Sequence, residues 1–183
     1  MHAEGSRSRR RHGRAQLTML DVQTRLTQLQ EHRPELRLYA LVDGLQFEQN
    51  QGKRLSDAYG RRGLFAGTPD APLIHAGPWL FDMALAGDLL PVLADLEHQA
   101  PAVSWLIAPQ DLDGLAMLLQ LRLDMQLPDS RLALLRFWDP RVLADITGIM
   151  RDDQRAEFFA YIDEWHLLHQ GKRVWIGRHH ADA

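Results

Sequence analysis

The chain has 183 residues, of which 45% are hydrophobic and 25% are charged, and its formal net charge is −3. This length fits one domain of ordinary size, which can bury a core without a disulfide or metal. The absence of cysteine excludes thiol catalysis, thiolate zinc sites and iron–sulfur clusters. No apolar run approaches the ~20 residues that span a bilayer. No apolar signal core follows Met1. We therefore expect a cytoplasmic protein without a membrane partner.

The charge is unevenly distributed along the chain. Residues 1–18 hold five arginines and one acid, which leaves 16 basic and 23 acidic residues, a net charge of −7, in residues 19–183. With so few apolar residues, the segment 1–18 is predicted to be a disordered Arg-rich leader, followed by one domain over 19–178 and a tail over 179–183. A silent leader (with translation starting at Met19), a basic arm for an acidic partner and a transit-like peptide stay open.

Hydrophobic periodicity predicts helices and strands that alternate along the chain. The predicted helices cover residues 17–29, 47–59 (broken by Gly52 or beginning after it), 89–96, 112–125, a segment opening at 139–140, and 154–168. The predicted strands cover residues 36–42, 79–83, 103–108, 132–138 and an edge strand at 174–176. Several strands are unbroken apolar runs, which favours a sheet covered on both faces. We therefore expect an α/β fold: a single domain with a central mixed or parallel sheet of about five strands and helices on both faces.

Two aspartates and one arginine are the main candidates for polar chemistry. Asp43 ends a predicted strand, where α/β enzymes often place a catalytic carboxylate, but a cap for the turn at Gly44 is the favoured interpretation. Asp139 stands before Pro140, the arrangement that caps a helix N-terminus. Arg136 lies within an apolar run, so its burial would require a carboxylate or carbonyl partner.

The catalytic and ligand-binding signatures are weak throughout the chain. His166 and His169 are spaced to share a metal on the predicted helix, but packed histidines are favoured, and His179 and His180 lie in the tail. No Gly-x-Ser-x-Gly elbow, P-loop or Gly-x-Gly-x-x-Gly pattern is present. We expect no catalytic site, cofactor or metal, and the acidic domain argues against nucleic acid, leaving only a minor alternative through the leader. Four tryptophans are assigned to the core: Trp79, Trp105, Trp138 and Trp165.

An enzyme remains the main alternative from a different class. It would be a small α/β hydrolase that uses Asp43 with His75 or His166. This reading requires at least one of these side chains to line a closed cleft with a displaced pKa.

Three segments together carry a resemblance to a known family. They read LYALVDG over 38–44, LFAGTP over 64–69 leading to GPWL over 77–80, and LLRFWDPRVL over 134–143. With the Gln154-Arg155 pair and the aromatic residues that follow it, their order and spacing over residues 38–168 resemble the domain of unknown function 4123. That family comprises adaptors, or effector chaperones, of the bacterial type VI secretion system. The resemblance implies a non-catalytic cytoplasmic protein that holds a toxic effector and helps load it onto a VgrG-type spike.

The resemblance also directs attention to a candidate protein-binding surface. The Gly/Pro-rich stretch over 63–79 and the helix that starts at Asp139 are expected to border it, because loops with fixed turn chemistry often carry function on a rigid scaffold. The candidate residues are Phe65, Trp79, Asp139 and Arg141. The free protein is expected to be a monomer.

Overall fold

Strand β1 (Arg37–Asp43) runs through the middle of the main sheet, and six of its seven residues are buried. The computed structural model describes residues 21–127 and 129–177. Six strands form the sheet in the order β2-β3-β1-β4-β7-β8. The other five strands are β2 (Arg61–Gly63), β3 (Pro78–Asp82), β4 (Val103–Ala108), β7 (Glu164–His169) and β8 (Lys172–Ile176), and β1 itself pairs with β3 and β4. The predicted strands at 36–42, 79–83, 103–108 and 174–176 are confirmed within a residue or two.

All pairings in the sheet are antiparallel among the described residues. The expectation of a parallel or mixed sheet of about five strands is therefore wrong in both direction and number. Unbroken apolar strands suggested parallel pairing because parallel sheets are covered on both faces. The same composition arises here because an antiparallel sheet is covered on both faces.

Alternate residues of β1 supply two separate hydrophobic cores. Tyr39 and Leu41 pack on the face covered by α4, which we call the α4 face, whereas Ala40 and Val42 pack on the opposite face, the α3 face. Helices α4 (Leu112–Gln120), α5 (Pro140–Ile149) and α6 (Asp152–Phe158) contribute to the α4 face. Helices α1 (21–30), α2 (Gly44–Gln51) and α3 (Leu90–Gln99) contribute to the α3 face. Short 3-10 helices cover Ala71–Ala76 and Gly87–Leu89.

The α/β class with helices on both faces is confirmed. No helix in the described ranges is long and apolar enough to cross a membrane.

A cluster of aromatic rings fills the α4 face. Phe137 is fully buried and meets Trp138, Phe158 and Trp165 edge-on, with ring centroids 5.9, 6.0 and 6.0 Å away. Edge-to-face pairs in this range add favourable electrostatics to the burial of area. The assignment of four tryptophans to the core is confirmed, since each is at most 3% exposed.

The predicted strand over 132–138 is wrong beyond its first residues. Strand β6 (Leu132–Leu134) pairs only with β5 (Asp124–Gln126), and this two-stranded hairpin stands apart from the main sheet. Phe137 and Trp138 then turn into the α4-face core, and the chain enters α5. Helix α4 likewise ends at Gln120, short of the predicted 125, and it is not buried all round because Met117 is 67% exposed.

The predicted helix over 154–168 is also wrong. Helix α6 ends at Phe158, Tyr161 adopts a left-handed conformation with φ 69°, and the chain continues as β7. Apolar residues at 158, 162 and 165 fit a helical repeat, but Trp165 and Leu167 alternate into the α4 face as a strand requires. The helix expected within 47–59 is broken at Gly52, which is one of its two predicted forms: α2 covers Gly44–Gln51, and Gly52 caps it in a left-handed conformation with φ 68°.

Removal of the Phe137 ring should be among the most damaging single changes in the core. We expect Phe137→Ala to lower the free energy of unfolding by about 3–5 kcal/mol, because it removes the ring that joins three aromatic neighbours. Urea unfolding followed by tryptophan fluorescence measures this. The control is Ile149→Ala, which changes a side chain 83% exposed and should stay within about 0.5 kcal/mol of the wild type. Equal effects of the two variants would contradict the packing described here.

Candidate functional site

The segments at 38–44, 77–80 and 134–143 meet at the end of β1. Asp43 pairs with Pro78 in the β1–β3 ladder, and its N–H donates to Ala102 O at 2.8 Å. The N–H of Gly44 donates to Gly77 O at 2.9 Å. The third segment reaches the same place through Arg136, whose Nη2 lies 3.6 Å from Asp43 Oδ2. We call this convergence the β1 corner, formed by residues 43–44, 65, 75–79 and 136–141.

Gly44 permits a close approach of two backbone segments in this corner. A Cβ at position 44 would stand 2.7 Å from Gly77 O and still closer to His75 O. Both atoms belong to the backbone, which cannot swing aside as a flexible side chain can. Gly44 is therefore required by the approach of the 75–77 segment to the start of α2.

Phe65 and Trp79 lie beneath the corner and not on its surface. Phe65 is 4% exposed, and it meets Trp138 edge-on at 5.7 Å. Its ring occupies the space that a Cβ at Gly77 would need. Trp79 is 1% exposed, and its Nε1 donates to Ile74 O at 2.9 Å. Direct contact of either side chain with a partner is therefore blocked in this conformation, and their part in binding stays a prediction.

Asp43 is a buried cap with an exposed cation close by. The side chain is 3% exposed, and its Oδ1 accepts the Gln46 N–H at 3.0 Å, which caps α2. Burial raises the pKa of Asp43, although the hydrogen bond from Gln46 and the charge of Arg136 partly oppose this, and the nearby charge of Asp139 adds to it. Asp43 is thus a cap, as favoured, but the element that it caps is helix α2 and not a turn at Gly44.

Asp139 repeats this arrangement at the start of α5. Its Oδ1 accepts the Arg141 N–H at 3.0 Å, as predicted for an N-cap before Pro140. The Arg141 guanidinium donates to both carboxylate oxygens, from Nε at 3.0 Å and from Nη2 at 2.7 Å. Burial would raise the pKa of Asp139, but the hydrogen bonds and charge of Arg141 outweigh it and hold this pKa below its usual value. Asp139 is 5% exposed and Arg141 is 68% exposed at the side chain.

The hydrolase alternative joins Asp43 to His75 or His166, and the structure places these residues differently. The backbone of His75 packs against Gly44, but its ring makes no hydrogen bond or ion pair with Asp43 in the described part of the chain. His166 lies two strands away, in register with Trp105 and through it with Ala40. His166 is therefore displaced from Asp43 by two strand spacings across the sheet and by three residues along the strands, which is about 10 Å in each direction.

An acid–imidazole pair does form elsewhere, between two residues of β7. Glu164 Oε2 lies 2.8 Å from His166 Nε2, and both side chains are at most 7% exposed. Arg25 Nε also donates to both Glu164 oxygens, at 2.9 and 3.1 Å. Burial would raise the pKa of Glu164, but His166 and Arg25 outweigh it and lower this pKa, which makes the carboxylate a weak proton acceptor. Glu164 borders an open cleft of about 430 Å³.

His166 and His169, considered as metal ligands but favoured as packed residues, do not face each other in the structure. His166 and His169 are three apart on β7, so they point to opposite faces of the sheet. Among residues 21–127 and 129–177, no group of three His, Asp or Glu side chains is arranged to hold a metal ion. The leader over 1–18, Met19, and the tail histidines His179 and His180 lie outside the described residues.

The comparison with protein families bears on the same segments. The model of the domain of unknown function DUF4123 matches residues 38–157. This chain belongs to the DUF4123 family. The matched region contains the whole β1 corner, and the resemblance inferred from the three segments is confirmed. No curated protein and no solved structure matches the chain.

The contacts of Arg136 in the β1 corner were not predicted from the sequence. Arg136 was expected to pair with a carboxylate or carbonyl, but its partner Asp43 lies far away in sequence. The aromatic neighbour Trp138, with Arg136 Cζ 5.8 Å from its ring, was also not anticipated. The one available signal was an arginine in an apolar run beside an Asp-Pro cap, which indicates a charge at the surface of a packed segment.

A methyl group at position 44 should destabilise the corner. We expect Gly44→Ala to lower the free energy of unfolding by about 1–3 kcal/mol or more, because the added atom meets two backbone oxygens. Gly148→Ala is the matched control, since position 148 is helical with nothing within 4 Å of the added Cβ. That variant should gain about 0.5–1 kcal/mol. Urea denaturation measures both, and a gain in both would contradict the close approach.

The Asp43→Asn variant should keep the helix cap and remove the buried charge. Asparagine keeps an oxygen for the Gln46 N–H, but it removes a charge that burial disfavours. Because the pKa of Asp43 is raised in the folded protein, its charge costs stability above that pKa, and the cost disappears as the pH falls below about 3.9, the unfolded value. The stability of Asp43→Asn relative to wild type should therefore be greatest at pH 7 and should decline toward pH 4 in urea titrations.

The Asp139→Asn variant should have the opposite effect on stability at pH 7. The pKa of Asp139 is lowered, so its charge stabilises the folded protein above the unfolded pKa of about 3.9, and this stabilisation is lost as the pH falls through the folded value. At pH 7 the variant should be less stable than wild type. The same sign and pH dependence for both asparagine variants would contradict the opposite pKa shifts of Asp43 and Asp139.

Proposed function

We propose that this chain is a non-catalytic cytoplasmic adaptor that binds a type VI secretion effector and helps load it onto a VgrG-type spike. The observation that carries the proposal is the β1 corner. Segments far apart in sequence, all inside the matched DUF4123 region, meet there in one packed unit. The adaptor role itself comes from the resemblance of these segments to the effector chaperones of that system.

The chemistry of the corner favours binding over bond-making. Asp43 and Asp139 are each engaged by a backbone N–H and by an arginine, so neither carboxylate is presented to a substrate. The exposed groups are the guanidiniums of Arg136 and Arg141, which are 54% and 68% exposed. Arginine is enriched where protein surfaces meet.

A second region offers apolar surface to a protein partner. Between positions 117 and 134 several large hydrophobic side chains are exposed, most of all Leu121 at 81% and Leu132 at 72%. They belong to the end of α4 and to the β5–β6 hairpin, which stands apart from the main sheet. Apolar side chains grouped on one part of a surface are typical of protein contacts.

Co-expression with a VgrG-type spike and a candidate toxic effector tests the proposal. We expect the effector to remain soluble and to co-elute with this chain in size-exclusion chromatography, and a VgrG-type spike to join or receive the effector. Without a partner, light scattering should give the mass of a monomer. Co-elution of neither protein with the folded chain would overturn the adaptor function.

The candidate residues need different treatments in that experiment. Phe65→Ala and Trp79→Ala alter buried side chains, so their loss of binding is informative only with unchanged thermal unfolding. Arg141→Ala changes an exposed side chain and should weaken binding without unfolding the chain. Arg151→Ala is its matched control, because Arg151 makes the same two-point contact with an aspartate two residues on, away from the corner.

A further inference from the structure

Arg136 and Arg141 project from the β1 corner into solvent, and each pairs with a buried aspartate. Arg141 contacts Asp139 with Nε and Nη2, and its Nη1 has no acceptor within the described part of the chain. Arg136 reaches Asp43 with one nitrogen at 3.6 Å, and its guanidinium lies 5.8 Å from the Trp138 ring. Each guanidinium therefore keeps unused N–H donors that face solvent.

The four charges are arranged in two layers. Asp43 and Asp139 are 3% and 5% exposed at the side chain, whereas the two arginines are more than half exposed. The charges influence one another, since Asp139 and Arg136 both act on the pKa of Asp43 and Asp43 acts on that of Arg141. The acids also cap two helices, which fixes their positions. The corner is neutral in sum, but its outer layer is positive.

Arg25 and Arg37 also pair with buried carboxylates, those of Glu164 and Asp82, but Arg151 and Arg131 make similar contacts without this support. Arg151 donates to both oxygens of Asp153 at 3.1 and 3.0 Å, yet Asp153 is itself 70% exposed. Arg131 pairs with Asp129, which is 53% exposed. In these pairs both partners can move in solvent, whereas in the corner the anion is buried and anchored. A cation that is already held in place loses less conformational freedom when it binds.

We propose that Arg136 and Arg141 form a docking site for an acidic segment of a protein partner, with carboxylates of Asp or Glu side chains as the bound groups. Planar guanidiniums with free donors match carboxylates in shape and charge. The domain around them is acidic, with a net charge of −7 over residues 19–183. Its field opposes a long polyanion such as nucleic acid, whose binding depends on neutralising many phosphates, but a short acidic segment can engage the two cations alone. The inference rests on the proposed function for the identity of the partner.

A labelled peptide of consecutive glutamates is the probe, and a glutamine peptide of equal length is the uncharged control. In fluorescence anisotropy, the full chain should bind the glutamate peptide about tenfold or more tightly than the glutamine peptide, and added salt should weaken the binding. Arg136→Gln and Arg141→Gln should each lower the affinity for the glutamate peptide by about fivefold or more. Arg151→Gln, the matched control, should change it by less than about twofold.

The outcomes separate this inference from the adaptor function. Thermal unfolding first establishes that each variant is folded, and the glutamine replacements leave the caps at Asp43 and Asp139 in place. Equal loss in Arg151→Gln, equal binding of both peptides, or tighter arginine-dependent binding of single-stranded DNA would overturn the docking site. If effector and spike still co-elute with Arg136→Gln and Arg141→Gln and the glutamate peptide does not bind, the inference alone fails. If the peptide binds as expected but neither protein co-elutes, the adaptor function alone fails.

Discussion

The close backbone approach at Gly44 is the constraint on which the β1 corner depends. The central strand ends at Asp43, and the next residue lies against the carbonyl oxygens of His75 and Gly77 with no room for a side chain. This contact joins the start of α2 to the entry into β3, and it leaves Asp43 buried at the junction. A buried carboxylate in that position needs compensation, which comes from the hydrogen bond of the Gln46 N–H and from the charge of Arg136 at 3.6 Å. The charge pattern of the corner thus follows from the packing of its backbone.

The aromatic core extends this constraint to the third segment. Phe65 fills the space beside Gly77 and meets Trp138, which is followed directly by the cap Asp139. Phe137, one residue earlier, anchors the same segment among the rings of the α4 face. The arginines on either side of this pair, Arg136 and Arg141, are therefore carried by a backbone whose neighbouring side chains are buried. Rigid support of this kind explains how exposed residues can have fixed positions.

The sequence predicted those parts of the fold that depend on residues adjacent in the chain. The Asp139-Pro140 cap, the strand before Asp43 and the strand over 103–108 are encoded by neighbouring residues, and the structure confirms them. Strand direction could not be predicted, because burial on both faces gives the same apolar run in either arrangement. Residues 164–169 were misassigned because Trp165 fits both a helical and an alternating repeat, and only pairing with β4 and β8 decides between them. The corner was predicted in part: its segments were identified, but the burial of Phe65 and Trp79 and the Arg136–Asp43 contact depend on the tertiary fold.

The layered charges of the corner give its acids and its arginines different physical roles. A change at Asp43 or Asp139 alters a helix cap and a buried charge together, so it affects stability and the position of the cations at once. A change at Arg136 or Arg141 alters mainly the exposed layer, since both caps are made by backbone N–H groups that remain. Each such change also removes the ion-pair partner of a buried carboxylate, so some loss of stability should accompany it. The exposed donors of these arginines are therefore the part of the corner best suited to recognition, while the acids below them serve the fold.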